Sequence, residues 1–119
     1  MVAVRRLDIV LVALDPNLGS EIRKTRPCVV ISPDIINLHS RTILIAAITH
    51  YDDEKAESPL FVAVSATLQT GLTQRSLVTT LQMRTIDKLR IIKRIGAFPR
   101  QQVEQLNDAI AMGAGLKEI

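Results

Sequence analysis

The sequence predicts a β-rich α+β fold: a small, strongly bent barrel of short antiparallel strands, partly closed by one C-terminal helix. Three observations predict it. Aromatic residues make up only 3% of the chain (Phe61, Phe98 and Tyr51, with no Trp) against 47% hydrophobic residues, so Val, Ile, Leu and Ala must build the core. Such a composition favours strands. Apolar runs of strand length recur between turn signals, whereas helical spacing occurs once, after Pro99. The 119 residues suit a single domain spanning 1–119 with one real core.

The elements follow in order. "LDIVLVAL" (7–14) is a Leu and β-branched run ended by the turn signal "DPNLG". "RPCVVIS" (26–32) is a second strand, with Pro27 near its start, where a missing N–H is tolerated. "PDIINLHS" reads as a turn or one short helical turn. "RTILIAAIT" (41–49) is apolar nearly throughout, which predicts a central strand. "YDDEKAES" is a polar loop, "PLFVAVSA" (59–66) alternates as a strand should, and "TLQTG" is a possible short strand. "RSLVTTLQ" (75–82) and "IIKRIGAF" (91–98) complete the strands. Beyond Pro99, Val103, Leu106 and Ile110 fall on one helical face, with Gly113 or Gly115 as the stop.

Several function classes are disfavoured. No run reaches the roughly 18 apolar residues of a membrane helix, and no signal-type cleavage site follows the N-terminal apolar run, so the expected location is the cytoplasm. The single Cys28 rules out an intramolecular disulfide and reads as a small core residue. There is no HExxH, CxxC, Walker loop or GxSxG, and His39 and His50 carry no metal-site spacing. No metal and no cofactor are expected. The net charge is only +3, but residues 84–100 hold six cations against one anion, and residues 51–60 four anions against one cation. Either run alone is ordinarily a solvated face. A second basic segment at 19–27, "GSEIRKTRP", makes an anionic partner plausible.

That second segment lies in the connection from Asp15 to Thr25, eleven residues where hairpin loops usually have about two to five. Long loops on a rigid scaffold commonly carry binding groups. Arg26 stands where the second strand begins, and its planar guanidinium suits a phosphate. An equal alternative is that Arg26 pairs Asp15 or Glu21 to fasten the loop. Thr49 and His50 end the third strand. They could share a cleft with Arg26 if the two strands are neighbours, although Thr49 also fits as a β-branched strand residue and His50 as a solvated loop residue.

At these residues the chain resembles the MazF/PemK (Kid) family of toxin endoribonucleases. "DIVLVALDPNLGSEIRKTRPCVVISPD" resembles the family's opening signature, "AAIT" (46–49) its second block and "LQMRTIDKLRI" (81–91) its third. The three blocks occur in order along nearly the whole chain. The resemblance implies a homodimeric SH3-like barrel of the CcdB/PemK type that cuts single-stranded RNA at short motifs without a metal. The RNA's own 2′-hydroxyl attacks the adjacent phosphate, leaving a 2′,3′-cyclic phosphate and a 5′-hydroxyl. The family's catalytic arginine and threonine fall on Arg26 and Thr49. Gly19, Ser20, Glu21, Arg23, Lys24, His50, Gln82 and Arg84 fall where RNA would be held. The resemblance also implies a cognate antitoxin with an acidic C-terminal segment.

Two positions depart from the family pattern. Leu7 replaces the usual Gly before the first strand's Asp, and Leu81 stands where many members carry an acidic residue before Gln82. His50 is the group that could substitute for the missing carboxylate. A competing expectation is a non-catalytic module of the same barrel that blocks a protein target, as the related CcdB toxins block DNA gyrase. Such a module needs neither Arg26 nor Thr49.

Overall fold

The computed structural model describes residues 2–14 and 25–119. The expected binding residues Gly19, Ser20, Glu21, Arg23 and Lys24 therefore lie outside the described residues. Six strands form one antiparallel sheet: β1 (Asp8–Ala13), β2 (Thr25–Val30), β3 (Thr42–His50), β4 (Phe61–Val64), β5 (Ser76–Asp87) and β6 (Ile91–Ala97). Their order is β4-β5-β3-β2-β1-β6, so the nearly all-apolar β3 lies inside the sheet, between β2 and β5. Among the described residues there are three α-helices: α1 (Asp34–His39), α2 (Asp53–Ala56) and α3 (Val103–Gly113). None of them is long and apolar enough to cross a membrane.

The apolar runs are nearly continuous because the central strands are buried on both faces. Ile9, Val29, Ala46, Ile48 and Val78 form one core with Phe98, Leu106 and Ala109 beneath α3. Their alternate neighbours Val10, Val12, Cys28, Val30 and Ile45 form a second core with Val4, Ile43, Ile86 and Ile91. A shift of one residue in pairing would exchange the two sets. At about 1.5–3 kcal/mol for each fully buried aliphatic side chain, the two cores together dominate the stability.

The hydrogen-bonded sheet is not closed, and the "TLQTG" segment explains how the gap is covered. It is a turn, not a strand. Buried Thr70 accepts from the Thr67 N–H and donates to the Ser65 carbonyl, which ties the segment into a knot of local bonds. The turn then lies on edge strand β6, where the Ala97 N–H donates to the Gln69 carbonyl at 2.8 Å. Gly71 adopts φ +71°, and a Cβ there would collide with the Ile95 carbonyl. Glycine is required by both the backbone angle and the close approach.

Other expectations are refined. "PDIINLHS" forms α1, held by buried Asn37, whose amide donates to the Ser32 carbonyl at 2.9 Å. The polar loop after β3 contains the single helical turn α2, capped by Asp52, whose carboxylate accepts from the Lys55 N–H. Pro99 opens a 3₁₀ turn at Arg100–Gln102 before α3 begins at Val103. Gly115, with φ +80°, is the left-handed residue past the helix end, while Gly113 packs closely on Thr80. Lys88–Arg90 form a 3₁₀ turn before β6, and the strand expected at 75–82 runs on to Asp87 as the long strand β5. Its ladder to β3 jumps from Ala47↔Thr79 to Ala46↔Met83, which leaves Thr80, Leu81 and Gln82 in a bulge.

Candidate functional site

Arg26 and Thr49 come together through register. The β2–β3 ladder pairs Cys28 with Ala47. Two residues outward on each strand, beyond that last rung, Arg26 and Thr49 line the same pocket. Both backbones are held from their other side, Arg26 opposite Val12 of β1 and Thr49 opposite Leu77 of β5. A guanidinium and a hydroxyl thus project from a rigid sheet rather than from loops, the condition for a preorganised pair.

The pocket at this end of the sheet has a volume of about 280 Å³. Pro27, Ile48 and Leu72 supply its apolar lining, and Arg26, Thr49, His50, Gln74 and Ser76 its main polar groups. His50 is exposed, and its Nδ1 lies 3.0 Å from Gln74 Nε2. The Gln74 amide can serve either tautomer. Its N–H donates to a bare Nδ1, or, turned over, its oxygen accepts from Nδ1–H and leaves Nε2 bare. Ser76 Oγ in turn donates to the Gln74 carbonyl at 2.9 Å.

Gln82, carried out of the ladder by the β5 bulge, places Oε1 3.4 Å from Arg26 Nη1. That is a long contact to a neutral acceptor. Among the described residues no carboxylate pairs with Arg26. Exposed Arg84 is paired opposite Ile45, which shares a core with Cys28, and Arg26 and Arg84 both act on the Cys28 thiol. Their charges favour the thiolate, yet burial prevails and pushes the thiol from its ordinary 9.0 up to about 12. Cys28 is a core residue, not a nucleophile. Leu81, 65% exposed, offers no proton acceptor beside Gln82. Among the described residues no group of three or more His, Cys, Asp or Glu side chains is arranged to hold a metal ion.

The basic run at 84–100 is put to a different use from the one its charge suggests. Lys88 is buried, with Nζ donating to the Asn37 carbonyl. Arg90 donates to the Ala13 carbonyl at 3.1 Å, at the end of β1, and Arg94 pairs with Asp8 at 3.0 Å. Three of its six cations are engaged within the fold. Sequence reasoning overlooked Gln74, Thr73 and Leu72, which line the pocket. They follow Gly71 in a stretch with no periodicity, and only the turn laid on β6 brings them to the ends of β2 and β3.

Residues 5–112 match the PemK-like, MazF-like toxins of type II toxin–antitoxin systems. The chain belongs to this family. Among curated relatives, it is 34% identical to the endoribonuclease MazF of Staphylococcus saprophyticus over 116 residues, covering 98% of this chain and 95% of that protein. It is likewise 34% identical to the endoribonuclease EndoA of Bacillus subtilis over 113 residues, covering 95% and 96%. Its fold is that of a mycobacterial endoribonuclease solved in complex with its cognate antitoxin, with a TM-score of 0.70, 20% identity and 98% coverage of both chains.

Proposed function

We propose that this member of the MazF-type toxin endoribonuclease family cuts single-stranded RNA by internal attack of the 2′-hydroxyl, with protein groups alone supplying the catalysis. The observation that carries the reading is that Arg26 and Thr49, at the ends of neighbouring strands, line one pocket. As the 2′-oxygen bonds to phosphorus, charge builds on the non-bridging oxygens. A fixed guanidinium and a hydroxyl stabilise that charge. The P–O5′ bond then breaks, giving a 2′,3′-cyclic phosphate and a 5′-hydroxyl. Arg26, charged at rest, can act only on the donor side: it gives a proton to the leaving 5′-oxygen and recovers one from water. His50, with Nδ1–H held by the turned Gln74 amide, receives the 2′-hydroxyl proton at Nε2 and, once protonated, returns its proton to water. It does so in the place of the carboxylate that Leu81 lacks.

The relative solved with its antitoxin supports a matching control here. An acidic antitoxin segment laid over Arg26 would compete with RNA for the same cation. We further propose a cytoplasmic homodimer whose two-fold axis sets two such sites along one groove. Sedimentation as a monomer at micromolar concentration would overturn the dimer.

The test is incubation of the purified protein with single-stranded RNA in EDTA, followed by analysis of the new ends. Cyclic phosphate and 5′-hydroxyl ends are expected. Cleavage only with added Mg²⁺, or products with 3′-hydroxyl ends, would overturn the mechanism. Binding of DNA gyrase with no RNA cleavage would favour the CcdB-like reading.

A further inference from the structure

Tyr51 and Arg75 form the one cation–π pair among the described residues, with the Arg75 guanidinium carbon 3.7 Å from the ring centroid. The pair lies one step beyond the last β3–β5 rung, His50↔Ser76. Tyr51 directly follows Thr49 and His50, the last residues of β3, both of which line the pocket. Arg75 stands between Gln74 and Ser76, which both line the pocket. Arg75 is exposed and covers part of the ring, while the half-buried Tyr51 retains accessible surface.

Resting on the RNA-cleaving reading, we propose that Tyr51, backed by Arg75, is a platform on which the nucleobase next to the scissile phosphate stacks. The surroundings select a base over a phosphate. Asp52, Asp53 and Glu54 follow the ring directly, and their carboxylates repel a phosphodiester but not an uncharged base. A base gains from the aromatic face and from the adjacent guanidinium together. The platform holds one nucleotide beside Arg26 and Thr49, which gives the enzyme a binding determinant outside the reacting groups.

Tyr51 is the only tyrosine in a chain without tryptophan, so its emission reports on the ring directly. The experiment titrates the intact protein with short 2′-O-methyl RNA of random sequence, which cannot attack its own phosphate. Tyrosine emission and the anisotropy of an RNA end label are followed together. The expected result is saturable quenching that parallels binding. In parallel, Tyr51→Ala should raise KM for unmodified RNA about tenfold or more with little change in kcat, and Tyr51→Phe should restore it. RNA that binds without altering the emission overturns the platform and leaves the nuclease reading standing. So does a Tyr51→Phe variant as impaired as Tyr51→Ala, because the ring would then not be the contact. A pair that only extends the ladder would lower the melting temperature on Tyr51→Ala without changing KM in the folded protein. Failure of the wild-type protein to bind or cut RNA overturns both the nuclease reading and the platform.

Discussion

Arg26 and Arg94 flank the same strand from opposite sides, Arg26 opposite Val12 and Arg94 opposite Val10. Arg94 meets the Asp8 carboxylate at 3.0 Å, and Asp8 also accepts from the Arg5 N–H at 2.9 Å. That cation is neutralised within the fold and fastens β6 to the chain leading into β1. Arg26 has only a neutral amide at 3.4 Å among the described residues, and it lines a pocket. The difference teaches that local charge density does not locate a binding site. The run at 84–100 holds six cations, yet Lys88, Arg90 and Arg94 are engaged within the fold, whereas a single strand-end arginine lines a pocket.

The sharpest way to break this comparison is to remove each arginine. Arg26→Ala should lower the cleavage rate by about 10²–10³-fold or more, with its effect on kcat rather than on RNA affinity. Stability should stay within about 0.5 kcal/mol. Thr49→Ala should cost about tenfold, the scale of one lost hydrogen bond. Single-turnover cleavage and denaturant unfolding check both. Unchanged turnover in the Arg26 variant would move the site elsewhere.

Arg94→Ala should show the converse. Leaving the largely buried Asp8 without its partner should cost about 1–2 kcal/mol of stability, read by urea denaturation, with cleavage by the folded variant unchanged. A loss of cleavage without a loss of stability would erase the distinction between the two arginines.

Cys28 sharpens the contrast between charge and burial. Its thiol, pushed up to about 12, stays protonated in the native state while the unfolded chain ionises near its ordinary value. Its contribution to stability is therefore complete below about pH 9 and is lost as pH rises from 9 towards 12. The loss is up to about 1.4 kcal/mol per pH unit. The check is the stability difference between wild type and Cys28→Ala at pH 8 and at pH 10.5, which should narrow at the higher pH. Native protein at neutral pH should resist thiol reagents, despite Arg26 and Arg84 nearby.

The smallest expected effect lies at Leu7, beside the strand that both arginines flank. Leu7 has φ +79°, the one non-glycine residue in the left-handed region among those described. Its N–H donates to the Val30 carbonyl and its carbonyl accepts from the Phe98 N–H, both at 2.8 Å, so the conformation is held from two sides. Leu7→Gly relieves about 1 kcal/mol of strain and gives up partial packing on the core. Leu7→Ala loses the packing and keeps the strain. Thermal unfolding should therefore rank Gly above Ala here, the reverse of their order in a helix or strand. Ala above Gly would show that the positive φ carries no strain.

Much of the fold was legible because its signals are local. The apolar runs of β1, β2 and β3 and the helical spacing of Val103, Leu106 and Ile110 all act within a few residues. The glycine expected before Asp8 marked a backbone requirement that Leu7 now meets under strain. "TLQTG" misled because Thr favours strands in isolation, while here Thr70 satisfies its neighbours' backbone groups and Gly71 needs a positive φ. In the pocket, Arg26, Thr49 and His50 were marked by residue type at strand ends. Gln74 carried no mark at all.

By itself, the sequence determined that the chain is strand-rich, that its core is aliphatic, and that a cation opens β2 while a hydroxyl and an imidazole close β3. These follow from residue chemistry and short-range periodicity. Only the tertiary structure decided which groups meet. The Asp8–Arg94 pair joins residues 86 positions apart, Gln82 reaches Arg26 across 56, and Gln74 reaches His50 across 24. Each contact depends on how distant segments are brought together, and the Gln82–Arg26 contact depends also on the three-residue bulge in β5. A charge acquires its role from the partner that the fold delivers, and the pairing of distant strands has no local trace.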